Sequence, residues 1–226
     1  MSHSVSSHTI HLRPHADVAE RVLLPGDPGR ALRLAQQLVD GTPKMLNHNR
    51  GLWGYTGIAH DGLPLTVQAT GMGGPSAAIV VQELIALGAR RLLRVGTCGA
   101  LTGELRLGEL LAAEAALPHD GASRALGATG PVAPDPALHA ALQARSGVVV
   151  SADLFYDPVP DRFSASGALA VEMEAATILT LAARQGLPAA CLLVVSDIVA
   201  TRERLEPDAL LAAEQELGRV ALAALA

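Results

Sequence analysis

The strongest constraint on this 226-residue chain is an alternation along its length. Short apolar runs rich in β-formers, ending in glycine or a carboxylate, are separated by stretches whose apolar residues recur at helical spacing. Strands are predicted at Arg21–Pro25, Arg91–Val95, Leu107–Leu117, Val148–Ser151, Leu169–Met173 and Ala190–Ser196. Helices are predicted from Gly29 to about Leu38, over Pro75–Leu87, about Pro136–Arg145 and Ala175–Gln185, and from Pro207 onward. The runs Leu52–Ala59 and Leu63–Ala69 flank Asp61-Gly62, a hairpin signal. Strands alternating with helices imply an α/β chain with a mainly parallel or mixed central sheet and helices on both faces. No change in composition marks a linker, so residues 1–226 read as one domain, with 1–20 as an N-terminal arm.

Composition says what fills that core. The chain is 50% hydrophobic but only 2% aromatic, its rings being Trp53, Tyr55, Phe155, Tyr156 and Phe163. Bulk must come from Leu, Val, Ile and Ala, and none of the rings lies in a predicted core helix. The net charge of −5 comes without any basic block, which argues against a nucleic-acid partner. No apolar run reaches the ~18 residues of a membrane span, and the first ten residues lack a signal-peptide layout, so no membrane association and a cytoplasmic location are expected. Cys98 and Cys191 form no CxxC pair, which excludes a disulfide scaffold and a cysteine zinc site.

Ligands of such folds collect at the carboxyl ends of the strands, and four exits are unusual. Gly26-Asp27-Pro28-Gly29-Arg30 is either a plain helix cap or a close-approach turn for an anion, and Gly71-Met72-Gly73-Gly74-Pro75-Ser76 is a second glycine-rich loop. It lacks the lysine of a nucleotide P-loop. Arg94 stands inside an apolar strand, three residues before the Thr97 hydroxyl; it serves either a salt bridge to a nearby carboxylate or an oxyanion clamp with Arg30. Val171-Glu172-Met173-Glu174 puts two carboxylates on one strand face, suited to a pair of sugar hydroxyls. As plain helix starters, Glu174 is explained better than Glu172. Asp197, next to Ser196 at the end of an apolar strand, is either a turn former or a proton donor.

Taken together these segments resemble the nucleoside phosphorylase family that includes hexameric bacterial purine nucleoside phosphorylase and uridine phosphorylase. The resemblance is carried, in the family's order, by LLPGDPGRA (23–31), NRGLWGYTG (49–57), GMGGPS (71–76), LRVGTCGAL (93–101), SADLFY (151–156), VEMEAA (171–176) and VVSD (194–197). It implies a phosphate site made of Gly26, Arg30, Arg94 and Thr97, completed by Arg50 from a neighbouring subunit. It implies a nucleoside site of Glu172, Met173, Glu174, Ser196 and Phe155, with Glu174 on the ribose 2′- and 3′-hydroxyls and Phe155 against the base. His11, or His8 in reserve, would cross the dimer interface to the 5′-hydroxyl. Asp197 matches the acid that protonates the purine at N7.

The implied activity is that of a pentosyltransferase: nucleoside plus phosphate gives free base plus ribose 1-phosphate, reversibly. Inorganic phosphate is a co-substrate, and no other cofactor and no metal is required. A dimer would be the smallest active unit, within a trimer of dimers. Two departures bear on specificity. Leu210 occupies the place of a helix arginine that assists the acid in purine phosphorylases, leaving Arg202 or Arg204 for that role. The stretch between Ala165 and Leu169 is too short for the insert with which uridine phosphorylases read uracil, which favours a purine. The alternatives are a pyrimidine phosphorylase, a hydrolytic nucleosidase and a non-catalytic nucleoside-binding protein. The three arginines and Asp197, all present, argue against the last two.

Overall fold

A computed structural model describes residues 9–159 and 161–226. Its elements run β1 (Arg21–Leu24), α1 (Pro28–Leu38), β2 (Lys44–Asn47), a 3₁₀ turn (Asn49–Gly51), β3 (Gly54–Ile58), β4 (Pro64–Gln68), α2 (Gly74–Ala86) and β5 (Arg91–Ala100). There follow β6 (Leu110–His119), α3 (Gly121–Ala125), α4 (Pro136–Ala141), β7 (Arg145–Ala152), β8 (Ala170–Glu172), α5 (Ala175–Gln185), β9 (Ala189–Ile198), β10 (Glu203–Arg204) and α6 (Pro207–Leu225).

The strands form one mixed sheet in the order β10-β9-β6-β7-β8-β5-β1-β4-β3-β2. Because β9 also pairs with β5, the strands β5, β8, β7, β6 and β9 close on themselves, and β1, β4, β3 and β2 extend from the ring as an open wing. Two aliphatic cores cover the two faces. One packs α2 and α5 against residues such as Val22, Leu92 and Cys191, and the other packs α1, α4 and α6 against Leu23, Leu93 and Leu192. The neighbours Leu92 and Leu93 serve opposite cores, as strand periodicity requires. Parallel pairing of β1 with β4 and β5, and of β5 with β9, brings these strands' carboxyl ends to one side of the sheet.

Several boundaries differ from the sequence reading. Strand β5 runs through Gly96-Thr97-Cys98-Gly99 to Ala100, past the expected end at Val95. Helix α4 ends at Ala141 and Arg145 begins β7, whose first two residues are exposed and do not look like a strand. Two of the five rings belong to cores: Tyr55 is buried in the second core, and Phe163 anchors a small third core with Val150, Ala152 and Ala168.

Candidate active site

The β1 exit is built as a cap and as an arginine mount at once. The Asp27 carboxylate accepts the Arg30 amide at 2.6 Å, and Pro28 fills the first turn of α1, where its missing N–H costs nothing. Gly26 lies so close to the β4 exit that an added Cβ would sit 3.3 Å from the Gly71 carbonyl, which explains a glycine there. Arg30 is buried, and its Nε donates to Glu214 of α6 at 2.7 Å. Among the described residues its two terminal Nη groups make no hydrogen bond.

Arg94 resolves the choice between salt bridge and clamp by leaving room for both. Its Nε donates to Glu172 at 2.8 Å and its Nη2 lies 2.6 Å from Glu174, all three side chains being buried. The remaining Nη1 is buried without a partner among the described residues. A buried donor left open in this way is costly, and an anion at the site would satisfy it. The guanidinium passes over Gly96, where a Cβ would stand 2.9 Å from Nη2 and 3.0 Å from Cζ, so Gly96 clears its path.

The plain helix-start reading suits Glu172 rather than Glu174, whose side chain makes no cap. Glu172 is the helix starter: its carboxylate accepts the amides of Glu174 and Ala175 at 2.8–3.0 Å, and the Ser151 hydroxyl. Ser151 in turn accepts the Ala176 amide. Glu174 instead faces the second glycine loop, accepting the Gly73 amide at 2.5 Å. Burial pushes the Glu174 carboxyl up; Arg94 pulls it back and the nearby Glu172 charge raises it further. For Arg94, burial disfavours the charge, but Glu174 and Glu172 outweigh it and hold the guanidinium ionised. Met173, between the glutamates, is partly exposed.

At the ends of β5 and β9 a bulge pairs Gly99 with Asp197. The Asp197 carboxylate lies over Gly99, 2.8 Å from where a Cβ would be, and accepts the Ser196 hydroxyl at 2.8 Å. Arg204 is the direct cross-strand partner of Asp197 in the β9–β10 ladder, whereas Arg202 occupies the intervening turn with φ of 61°. Leu210 packs on the second core. The Thr97 hydroxyl, on the same stretch of β5, makes no hydrogen bond among the described residues. Burial pushes both cysteine thiols up, so neither is a thiolate nucleophile.

Arg50 and His11 lie together at the β2 edge of the sheet rather than with this cluster. Arg50 is exposed, has φ of 59° and makes no side-chain hydrogen bond among the described residues. Its neighbour Asn49 donates to the His11 carbonyl at 2.8 Å, while Asn47, fully buried, accepts the Arg13 amide at 2.9 Å. His11 Nδ1 contacts Glu83 of α2 at 2.8 Å. Burial raises the Glu83 carboxyl, but the amides of Leu12, His11 and Ile10 and the His11 ring together hold it below the ordinary carboxylate value. His8 lies outside the described residues. Phe155 stands 61% exposed on the loop after β7, edge-on to Tyr156, and is not packed against the carboxylates.

Sequence reasoning missed Glu214, Ser151 and Glu83, the partners that fix the predicted residues. Glu214 is 184 positions from Arg30, and nothing local marks it. Two cavities of about 350 and 300 Å³ lie elsewhere, at the carboxyl end of α5 and between α4 and α6, and none of the predicted site residues lines them. Among the described residues no cluster of three or more His, Cys, Asp or Glu is placed to hold a metal, and no helix is long and apolar enough to cross a membrane.

At the strand ends of this mixed sheet, two buried arginines offer donors suited to an anion, and two buried glutamates and an aspartate offer acceptors suited to hydroxyl groups. The family model described as the phosphorylase superfamily matches residues 20–226, and the chain belongs to that superfamily, within its nucleoside phosphorylase family. It is 38% identical over 201 residues to the DeoD-type purine nucleoside phosphorylase of Geobacillus kaustophilus, covering 83% of this chain and 84% of the relative. The DeoD-type enzyme of Jannaschia sp. is 36% identical, with 96% and 98% covered. Among solved structures, uridine phosphorylase from Vibrio fischeri superposes with a TM-score of 0.85 at 27% identity, covering 97% of this chain and 98% of that one.

Proposed function

We propose that the chain is a purine nucleoside phosphorylase, transferring the ribosyl or deoxyribosyl group of a purine nucleoside to inorganic phosphate. The observation that carries the reading is the pair of buried arginines, each fixed through Nε to a buried glutamate and each keeping terminal N–H groups unpaired. Such donors suit the oxygens of a small tetrahedral anion. The curated relatives support a purine over uridine, in agreement with the short stretch before β8.

The chemistry follows from placement. Breaking the glycosidic bond builds positive charge on the ribosyl carbon and negative charge on the leaving base. Phosphate held by Arg30, Arg94, the Thr97 hydroxyl and the Gly26 turn is the nucleophile, and its fixed position replaces a bimolecular encounter. Glu174 accepts from the ribose hydroxyls. Asp197 donates a proton to the departing purine at N7, with Ser196 orienting its carboxyl and Arg204 supplying the cross-strand positive charge. Bond making to phosphate and proton gain by the base leave ribose 1-phosphate and neutral purine.

Arg50 and His11 lie together at the β2 edge, and among the described residues no hydrogen bond or ion pair joins either to this cluster, which supports completion of each site by a second copy, with a dimer as the smallest active unit and a trimer of dimers as the assembly. Uridine phosphorylase is the second reading, favoured by the superposition with the Vibrio fischeri enzyme. Incubation with inosine, guanosine, adenosine and uridine, with and without phosphate, decides between them. Purine release that requires phosphate is expected. Cleavage of uridine alone would overturn the purine assignment, and turnover indifferent to phosphate would overturn phosphorolysis.

A further inference from the structure

We propose that Glu214 is the positioning residue of the anion site, and that Arg33 keeps the charge of Arg30 available by sharing the same carboxylate. The inference rests on the phosphorylase reading. Glu214 is 3% exposed, on the face of α6 that crosses α1. Its Oε1 accepts Arg30 Nε at 2.7 Å, and its Oε2 accepts Arg33 Nε at 3.0 Å and Nη2 at 2.6 Å.

This geometry has two consequences. Bonding at Nε fixes the plane of the Arg30 guanidinium while leaving both Nη groups for a ligand. A carboxylate paired with Arg30 alone would also cancel its charge. With Arg33 on the other oxygen the trio carries a net positive charge, so Arg30 still attracts an anion. Asp27 lies farther from Arg33, at 3.7 Å, and both side chains are about half exposed, so solvent screens its charge more than that of the buried Glu214.

The trio is not needed to clasp the two helices. Leu34 and Leu38 of α1 and Leu217 and Ala221 of α6 fill that contact. Gly218 brings the helices so close that a Cβ would lie 2.6 Å from Leu34 Cδ2. A buried ion cluster is poor evidence for stability where apolar packing suffices, so its presence here points to the ligand.

The test compares wild type with Glu214→Gln, Glu214→Leu and Arg33→Met. It reads KM for phosphate, KM for inosine, and the rise in Tm that phosphate produces. Glu214→Leu is expected to raise KM for phosphate about 10-fold or more, the usual cost of losing a charged hydrogen bond. Glu214→Gln, which keeps an accepting oxygen, is expected to fall between it and wild type, and Arg33→Met to give a rise of about 3-fold. KM for inosine should stay within about 2-fold of wild type throughout, and the phosphate-induced rise in Tm should shrink in the same order. A loss of Tm without any change in KM for phosphate, or an equal rise in both KM values, would overturn the assignment. If the Glu214 variants do not fold, Arg33→Met decides on the half-exposed partner, and an unchanged KM for phosphate there refutes the shared-carboxylate argument. Wild-type turnover that ignores phosphate refutes the phosphorylase reading instead, while loss of the phosphate-induced Tm rise in the variants would still report the positioning role.

Discussion

Adding one methyl group at Gly99 moves the proposed acid without changing its chemistry. A Cβ there would stand 2.8 Å from Asp197 Oδ2 and 2.9 Å from Val199 Cγ2, closer than real Cβ atoms approach, so the carboxylate must retreat toward an ordinary contact of at least 3.4 Å. Asp197 is only partly buried, so its end can swing, and the stability cost of Gly99→Ala should fall at the low end for overpacking, about 1 kcal/mol. Proton donation is less tolerant. Misplacement of a reacting group by about 1 Å costs on the order of 100-fold, so a smaller displacement should reduce kcat for inosine by about 10- to 100-fold, or about 1.4–2.7 kcal/mol of barrier. The assay is steady-state phosphorolysis of inosine with Tm measured in parallel. Gly103→Ala, which would add a methyl into open space, is the control. KM for phosphate should stay near wild type, because Arg30 and Arg94 are untouched. A Gly99→Ala protein with wild-type kcat would refute the argument that the position of Asp197 limits the reaction.

Three further outcomes are expected. Gly96→Ala presses on the Arg94 guanidinium, which two glutamates hold in place, and should raise KM for phosphate about 10-fold with little change in KM for inosine; equal kinetics would detach Arg94 from phosphate. Glu83 is ionised more readily in the folded chain than at the ordinary value of 4.5, so it steadies the arm fully above that pH, and the contribution is lost as pH falls through its lower folded value. Hydrogen exchange at the amides of Ile10, His11 and Leu12, corrected for intrinsic rates, should therefore accelerate below about pH 4.5, and a flat profile would count against Glu83 as the anchor. Finally, Arg50→Ala and Asp197→Asn, each inactive alone, should regain part of the wild-type activity when unfolded and refolded together, because a mixed dimer keeps one intact site; mixtures no better than the separate proteins would place Arg50 in its own subunit's site.

Much of this was written locally in the chain. The helix of the last third, the Asp61-Gly62 hairpin and the strand exits follow from apolar period and turn chemistry within a few residues. What escaped was set by distant partners. The expected strand ends at Val95, yet Gly96 and Gly99 lie inside β5, where they leave room for the side chains of Arg94 and Asp197. Strand β2 is four residues of mixed polarity at the sheet edge, and α3 is five residues held by the buried Asp120 cap, so neither shows a period. The candidate residues Arg94, Glu172, Glu174 and Asp197 stand out in the sequence because they interrupt apolar runs with charge. The supporting residues, Glu214 on α6 and Ser151 on β7, sit in ordinary surroundings and become visible only when helix α1 meets α6 and β7 meets β8.

The central claim, that the buried arginines hold phosphate as the nucleophile for a purine nucleoside, is tested most directly by following phosphorus during inosine cleavage. Phosphorus NMR should show one inorganic phosphate consumed and one ribose 1-phosphate formed for each hypoxanthine released. Release of base with the phosphate signal unchanged would contradict it.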